Sequence, residues 1–247
     1  MDGAGFNSKG TISTDVTTAY PLTFQNFNIE ENASYFVKVI GGGGIYYFNK
    51  CNIKNSDYGL FYANSSTHIV SIKESTIEGC DYAVNFTSCN TVTLEKATMT
   101  NCKYGIFTQN KGVRTFNVRE CNIEAEYPIC VYVTGTALQT FNFEGENTLT
   151  GEVDLGNYGK LVLTKATSTL AAEADLGVIT TVDGCTVTYQ NGVYSVVPAN
   201  VKNSNTGKMY ATIQEAIDDA ASGNTLVLLE NVTVNVNDEA MSTLPAL

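Results

Sequence analysis

Five tyrosines, Tyr35, Tyr58, Tyr82, Tyr104 and Tyr127, recur at intervals of 23, 24, 22 and 23 residues. A tyrosine joins a large apolar face to a polar tip, so an exposed row of them is a platform for stacking on sugar rings or for docking a protein partner. Packed under turns, the same row would be a structural ladder of the kind that repeat stacking selects, and the regular spacing favours that reading. The sole histidine, His68, falls at an expected turn between Thr67 and Ile69, with no second histidine or clustered cysteine beside it. It reads as a turn residue rather than a ligand or base. One histidine without a nucleophile motif cannot support a Ser-His-Asp or Cys-His arrangement. Seven cysteines (Cys51, Cys80, Cys89, Cys102, Cys121, Cys130 and Cys185) form an odd set with no CxxC pair, which argues against a zinc site and a complete disulfide framework. Most read as small buried hydrophobes, and no metal or cofactor is expected.

The elements that position the tyrosines follow from a repeat. FQNFNIEENASYF (24–36), FNKCNIKNSDYGLF (48–61), IKESTIEGCDYAVNF (72–86), LEKATMTNCKYGIF (94–107) and VRECNIEAEYPICV (118–131) align so that one column holds Ile29, Ile53, Ile77, Met99 and Ile123. Phe24, Phe48, Ile72, Leu94 and Val118 form a second column, and the small residues Cys51, Ser75, Ala97 and Cys121 a third, which Phe27 breaks in the first unit. Apolar residues alternate within each unit, as a strand with one buried face requires. A unit of about 23 residues cannot bury such a face alone, so it must stack on its neighbours and bring like residues into ladders. Cys80 and Cys102 would be one such pair. The expected fold is therefore all-β, a solenoid of coils about 22–24 residues long. Phe141, Phe143, Leu149, Val153, Leu155, Leu161 and Leu163 extend the pattern less regularly, and residues 184–197 read as a hairpin turning at Gln190-Asn191-Gly192.

The units resemble those of the pectin-lyase-like right-handed parallel β-helix family, in which a "yGI" element follows an Asn-rich turn. Here it stands as Tyr58-Gly59-Leu60, Tyr82-Ala83-Val84 and Tyr104-Gly105-Ile106. Many members of that family act on acidic polysaccharides, so the resemblance implies a search for lyase or glycosidase residues. Clustered aspartates with a nearby His and Arg-x-Lys are absent from the sequence, and the one Asp-Asp pair, Asp218-Asp219, lies on an expected helix. Arg119 with Glu120 could stand in for the basic residue and carboxylate of a calcium-dependent lyase. Arg119 and Arg114 are both expected to be exposed, solubilising charges. Glu30, Lys54, Glu78, Thr100 and Glu124 read as a solvated outer column stabilised by neighbour pairing, and Asp57, Asp81, Lys103 and Glu126 as a second one too mixed in charge for calcium.

Net charge is −11, with 25 acidic against 14 basic residues, which disfavours nucleic acid and anionic membrane surfaces as partners. No apolar run is long enough to span a membrane, and residues 1–20 lack the pattern of a signal peptide. Residues 1–198 are expected to form the β-helix. In residues 199–247 a polar linker (198–208) precedes the only clear helix signal, a capping box at Thr212 and Glu215 followed by a strand from Thr225 to Leu229. The stretch 210–235 resembles the opening cap of a β-helix, as found between units of large bacterial surface proteins, and it either begins a second unit or caps the first. The sequence favours a non-catalytic segment of an extracellular or cell-surface bacterial protein, serving adhesion or binding of polysaccharide or a surface protein through the tyrosines. A polysaccharide-degrading enzyme and a ligand-free spacer are the alternatives.

Overall fold

The computed structural model describes residues 2, 7–8, 12–14, 21–30, 34–39, 44–64, 68–109, 114–132 and 138–229. They divide into one unit of Met1–Val182 with Val187–Val196, and a second of Asp183–Thr186 with Val197–Leu247.

The first unit is a parallel β-solenoid with three faces. The first face is an eight-stranded sheet running from Leu22–Gln25 through Ile45–Asn49, Ile69–Lys73, Thr91–Glu95, Arg114–Arg119, Gln139–Glu144 and Gly159–Leu163 to Thr180–Thr181. The second face holds Asn28–Glu30, Asn52–Lys54 and Thr76–Glu78, and the third Val37–Val39, Tyr58–Asn64 and Tyr82–Ser88. Thr98–Gln109 and Asn122–Tyr132 run through both of these faces. Adjacent coils pair in register, so Ile29, Ile53, Ile77, Met99, Ile123 and Leu149 stack directly on one another, none more than 1% exposed. Phe24, Phe48, Ile72, Leu94, Val118 and Phe143 do the same on the first face. Leaving any of these apolar surfaces in water would be costly, and stacking removes all of them at once.

Between the first two faces the chain bends within one residue. Asn26, Lys50, Glu74, Lys96, Glu120 and Gly145 occupy that corner in successive coils, all with positive φ. Non-glycine residues seldom adopt this conformation, and here the N–H of each of the five non-glycine corners donates to a carbonyl of the next coil. The small column lies just inside. Ser75 Oγ accepts the Cys51 N–H at 3.0 Å and Asn147 Oδ1 the Cys121 N–H at 3.0 Å, so its polar members satisfy backbone groups that the bend frees. Outside, the corner residues and those just before them form a checkerboard of charge. Lys73, Glu95, Arg119 and Glu144 pair along one column at 2.9 Å (Lys73–Glu95) and 3.1 Å (Arg119–Glu144), while Lys50–Glu74 at 3.7 Å and Lys96–Glu120 at 3.5 Å pair along the next. Lys54 and Glu78 pair at 3.2 Å in the outer column where neighbour pairing is expected.

The glycines of the yGI element are required by close approach. A Cβ on Gly59 would lie 2.3 Å from the Ala83 carbonyl oxygen, and one on Gly105 2.6 Å from that of Pro128. At the far end Thr169–Ala172 pairs antiparallel with Val193–Pro198, the second arm of the expected hairpin, whose turn residues Asn191 and Gly192 have φ of 51° and 79°. Such paired positive φ values suit a two-residue hairpin turn.

Arg114 departs from expectation. It begins its strand with the same parity as Phe116 and Val118, faces inward, and is 1% exposed. Its guanidinium donates to the Phe86 carbonyl oxygen at 2.6 Å, to Thr108 Oγ1 at 2.5 Å and to the Thr87 carbonyl oxygen. His68 is also fully buried, immediately before the strand Ile69–Lys73, with its ring 5.5 Å from that of Tyr46. Of the cysteines, all but the partly exposed Cys185 are buried, and all seven are free.

In the second unit Val201–Asn203 is the central strand of a three-stranded antiparallel sheet, between Met209–Tyr210 and Leu226–Leu228. The stretch read as a polar linker therefore contains a core strand, with Val201 fully buried and Asn203 1% exposed. The helix Ile213–Asp219 starts at the expected capping box, Thr212 and Glu215 satisfying each other's backbone N–H, and packs Ala216 and Ile213 against Val201, Tyr210 and Leu226. The part of the expected opening-cap stretch beyond Leu229 lies outside the described residues. No helix among the described residues is long and apolar enough to cross a membrane.

Candidate functional site: an exterior aromatic ladder

The five tyrosines do stack, and they do so on the outside of the solenoid where the second face turns into the third. Tyr58, Tyr82, Tyr104 and Tyr127 are in register. Ring centroids are 4.8 Å apart for Tyr35–Tyr58, 5.8 Å for Tyr58–Tyr82, 4.8 Å for Tyr82–Tyr104 and 5.4 Å for Tyr104–Tyr127, the last three pairs lying within 20° of parallel. Parallel offset rings at such spacing attract beyond their burial. Exposure varies along the row: Tyr35 is buried, Tyr58 is 37% exposed, and Tyr82, Tyr104 and Tyr127 are half-buried.

A second outward column runs beside the tyrosines on the third face. It reads Lys38, Tyr62, Asn85, Phe107 and Cys130. Asn85, nearly buried, donates to the Tyr35 hydroxyl at 2.8 Å, which closes that end of the row. Burial pushes the Tyr35 phenol up, partly offset by this bond. At the other end the two columns open. Phe107 lies 5.0 Å from Tyr104 at an angle of 58°, so the rings make two walls of a corner. The corner lies in a groove of about 400 Å³ that Tyr104, Phe107, Tyr127, Cys130, Tyr132, Glu152 and Asp154 line. Tyr132 is 64% exposed, Glu152 and Asp154 stand exposed at the rim, and the backbone of Asp154 is held by bonds to Ile129 and Val131 of the preceding coil.

The groove is electronegative. The nearby carboxylates of Glu152 and then Glu126 raise the Tyr127 phenol above its ordinary range, because a second negative charge there is opposed. Burial, then Asp154, pushes the Cys130 thiol up to about 11, so it is protonated and a poor nucleophile near neutrality. The site can therefore stack on planar or pyranose faces and accept hydrogen bonds at its rim.

The other residues singled out in the sequence are not brought to this groove. Arg119 lies on the first face, exposed and paired with Glu144, as a solubilising charge is expected to be. Asp218 and Asp219 are exposed on the helix of the second unit, where Asp219 accepts from Tyr210 and Lys208. Asp57, Asp81, Lys103 and Glu126 form the exposed column flanking the tyrosines. Among the described residues no group of three or more His, Cys, Asp or Glu side chains is arranged to hold a metal ion. Sequence reasoning missed Tyr132, Glu152 and Asp154. The available signal was their position one coil (Tyr132) and two coils (Glu152 and Asp154) beyond Tyr104 and Phe107, but the coil containing Glu152 and Asp154 lacks the tyrosine that marks the others.

No curated protein and no solved structure matches the chain. A family model described as a right handed beta helix region matches residues 12–173. This span covers more than half of the sequence and coincides with the three-faced stack of parallel coils, so the chain belongs to the right-handed β-helix family.

Proposed function

We propose that this chain is a non-catalytic segment of an extracellular or surface-attached bacterial protein, and that it binds a glycan along the tyrosine ladder. The observation that carries the reading is the unbroken exterior stack from Tyr58 to Tyr127, which ends in a groove whose two ring planes meet at an angle. Aromatic faces at such a site match the apolar faces of sugar rings, and the rim carboxylates accept hydrogen bonds from hydroxyls. The likeness of residues 210–235 to the caps between units of bacterial surface proteins supports the extracellular placement.

The test is to incubate the chain with plant, mucin and bacterial polysaccharides in calcium, and to follow both retained protein and new chain ends. Retention without cleavage is expected, with affinity falling at least about tenfold in Tyr104→Ala/Tyr127→Ala while thermal unfolding remains cooperative. New chain ends that disappear with a chelator would replace this reading with a lyase. Absence of retention on every polymer would leave the ladder as structure alone.

A further inference from the structure

We infer that the groove beside Tyr104 and Tyr127 selects a glycan carrying free, protonated amino groups, a polyhexosamine, over neutral and uronate polymers. This rests on the glycan-binding reading above and names the ligand class of the same site.

Three observations converge on a cation. The groove offers more than one ring plane to an entering group, since Tyr127, stacked on Tyr104 at 20°, has no tyrosine in the next coil to cover its far side, and Phe107 stands at 58° to Tyr104. An ammonium is attracted to the faces of such rings, and more strongly when more than one ring surrounds it. The Tyr104 face already takes one from within the chain: Lys103 places its ammonium 5.4 Å from the ring centroid. Charge at the rim is the third. Glu152 and Asp154 line the groove, no basic residue lines it among the described residues, and Glu126 joins Glu152 in acting on Tyr127. Among the described residues, three carboxylates thus stand here against the ammonium of Lys103.

The alternatives use this arrangement less well. A uronate polymer would bring its carboxylates against Glu152 and Asp154, and like charges at an interface are strongly unfavourable. A neutral or N-acetylated sugar could stack on the tyrosines and donate its hydroxyls to the rim, but it brings no positive charge to strengthen those bonds. A protonated amino sugar uses both features, laying its apolar ring face on the aromatic wall and directing its ammonium to a carboxylate in a charge-assisted hydrogen bond. No covalent step is involved.

The test titrates the full chain, by calorimetry at pH 6 and fixed low salt, with a β-1,4-linked glucosamine oligomer, its fully N-acetylated counterpart and an oligogalacturonate. The glucosamine oligomer should bind at least about tenfold more tightly than the acetylated one, and the uronate should not bind. Glu152→Gln/Asp154→Asn should weaken the glucosamine oligomer about tenfold and leave the acetylated one unchanged. Tyr104→Ala/Tyr127→Ala should weaken both. An acidic chain could attract a polycation anywhere, so Glu74→Gln/Glu120→Gln, at the corner of the first face, serves as the control and should have no effect. Equal losses in the control and groove variants, or acetylated oligomer binding as tightly as the free amine, would overturn the inference while leaving glycan binding in place. Failure of all three oligomers to bind would overturn both.

Discussion

The column from Ile29 to Ile123 and the column from Tyr58 to Tyr127 arise from one repeat, a few residues apart in every coil, and both stack in register. They differ in what each stack removes from water. The isoleucine column is fully buried, whereas Tyr58 keeps 37% of its surface exposed and its successors are half-buried. Regularity therefore does not distinguish a structural ladder from a binding one, because parallel stacking orders any side chain placed at the same point of the coil. Exposure and local charge make the distinction: the inner column should govern stability and the outer one recognition.

The sharpest way to break this contrast is to truncate one member of each. Ile77→Ala should cost about 2–5 kcal/mol, as expected for an aliphatic side chain deleted from a packed interior, measured by urea unfolding with glycan binding retained in the folded protein. Gly105→Val should cost about 1–3 kcal/mol by the same measurement, since its Cβ would press on the Pro128 carbonyl and on Ile123. If it proved neutral, the close coil spacing assigned to the yGI element would be wrong. Arg114→Met should cost about 1–3 kcal/mol, because Thr108 Oγ1 and the carbonyls of Phe86 and Thr87 lose a buried donor. Stability gained on this change would mean that burying the cation outweighs its bonds. Tyr58→Ala should cost only about 0.5–1.5 kcal/mol, near the worth of its ring contacts. A loss as large as that of Ile77→Ala would erase the contrast between the columns.

The smallest effect is one of pH. Burial lowers the pKa of His68 from its ordinary value of 6.5, and the nearby Gly44 carbonyl offsets this only in part. The folded state therefore prefers the neutral ring. Above pH 6.5 both states are neutral and the histidine contributes no pH dependence, whereas below it the unfolded chain takes up the proton first and stability falls. Denaturation midpoints should decline below pH 6.5 in the wild type and less steeply in His68→Leu; equal slopes would show that the imidazole is protonated within the fold.

Most of the solenoid was legible because stacking imposes a period, and the columns through Ile53, Phe48, Cys51 and Tyr58 could be read from spacing alone. Arg114 was not. Counting back from Val118 places it inward, yet a guanidinium argues for solvent, and only the donors' partners, which come from two other coils, reconcile the two. His68, expected at a turn, instead stands buried immediately before its strand, with its ring beside that of Tyr46. In the second unit the polar stretch 198–208 hid a strand because only Val201 marks its buried face, the other inward residue being Asn203, which bonds to Asn224. The groove was half legible, since its tyrosines follow the repeat while Glu152 and Asp154 lie where the repeat has lost its period.

The charge checkerboard at the first corner gives the stack a parity. Lys50, Glu74, Lys96 and Glu120 alternate coil by coil, in opposite phase to Lys73, Glu95 and Arg119 beside them. Excision of the coil that carries Glu95 and Lys96 would set Glu74 on Glu120 and Lys73 on Arg119, whereas excision of that coil together with the one that carries Lys73 and Glu74 would set Lys50 on Glu120 and restore an opposite-charge pair at the corner. Such a chain lengthens or shortens most readily by even numbers of coils, and the same arithmetic opposes a strand that slips by one coil during folding or seats itself in a neighbouring molecule. Matched one-coil and two-coil deletions, compared in refolding yield and salt dependence, would expose that parity directly.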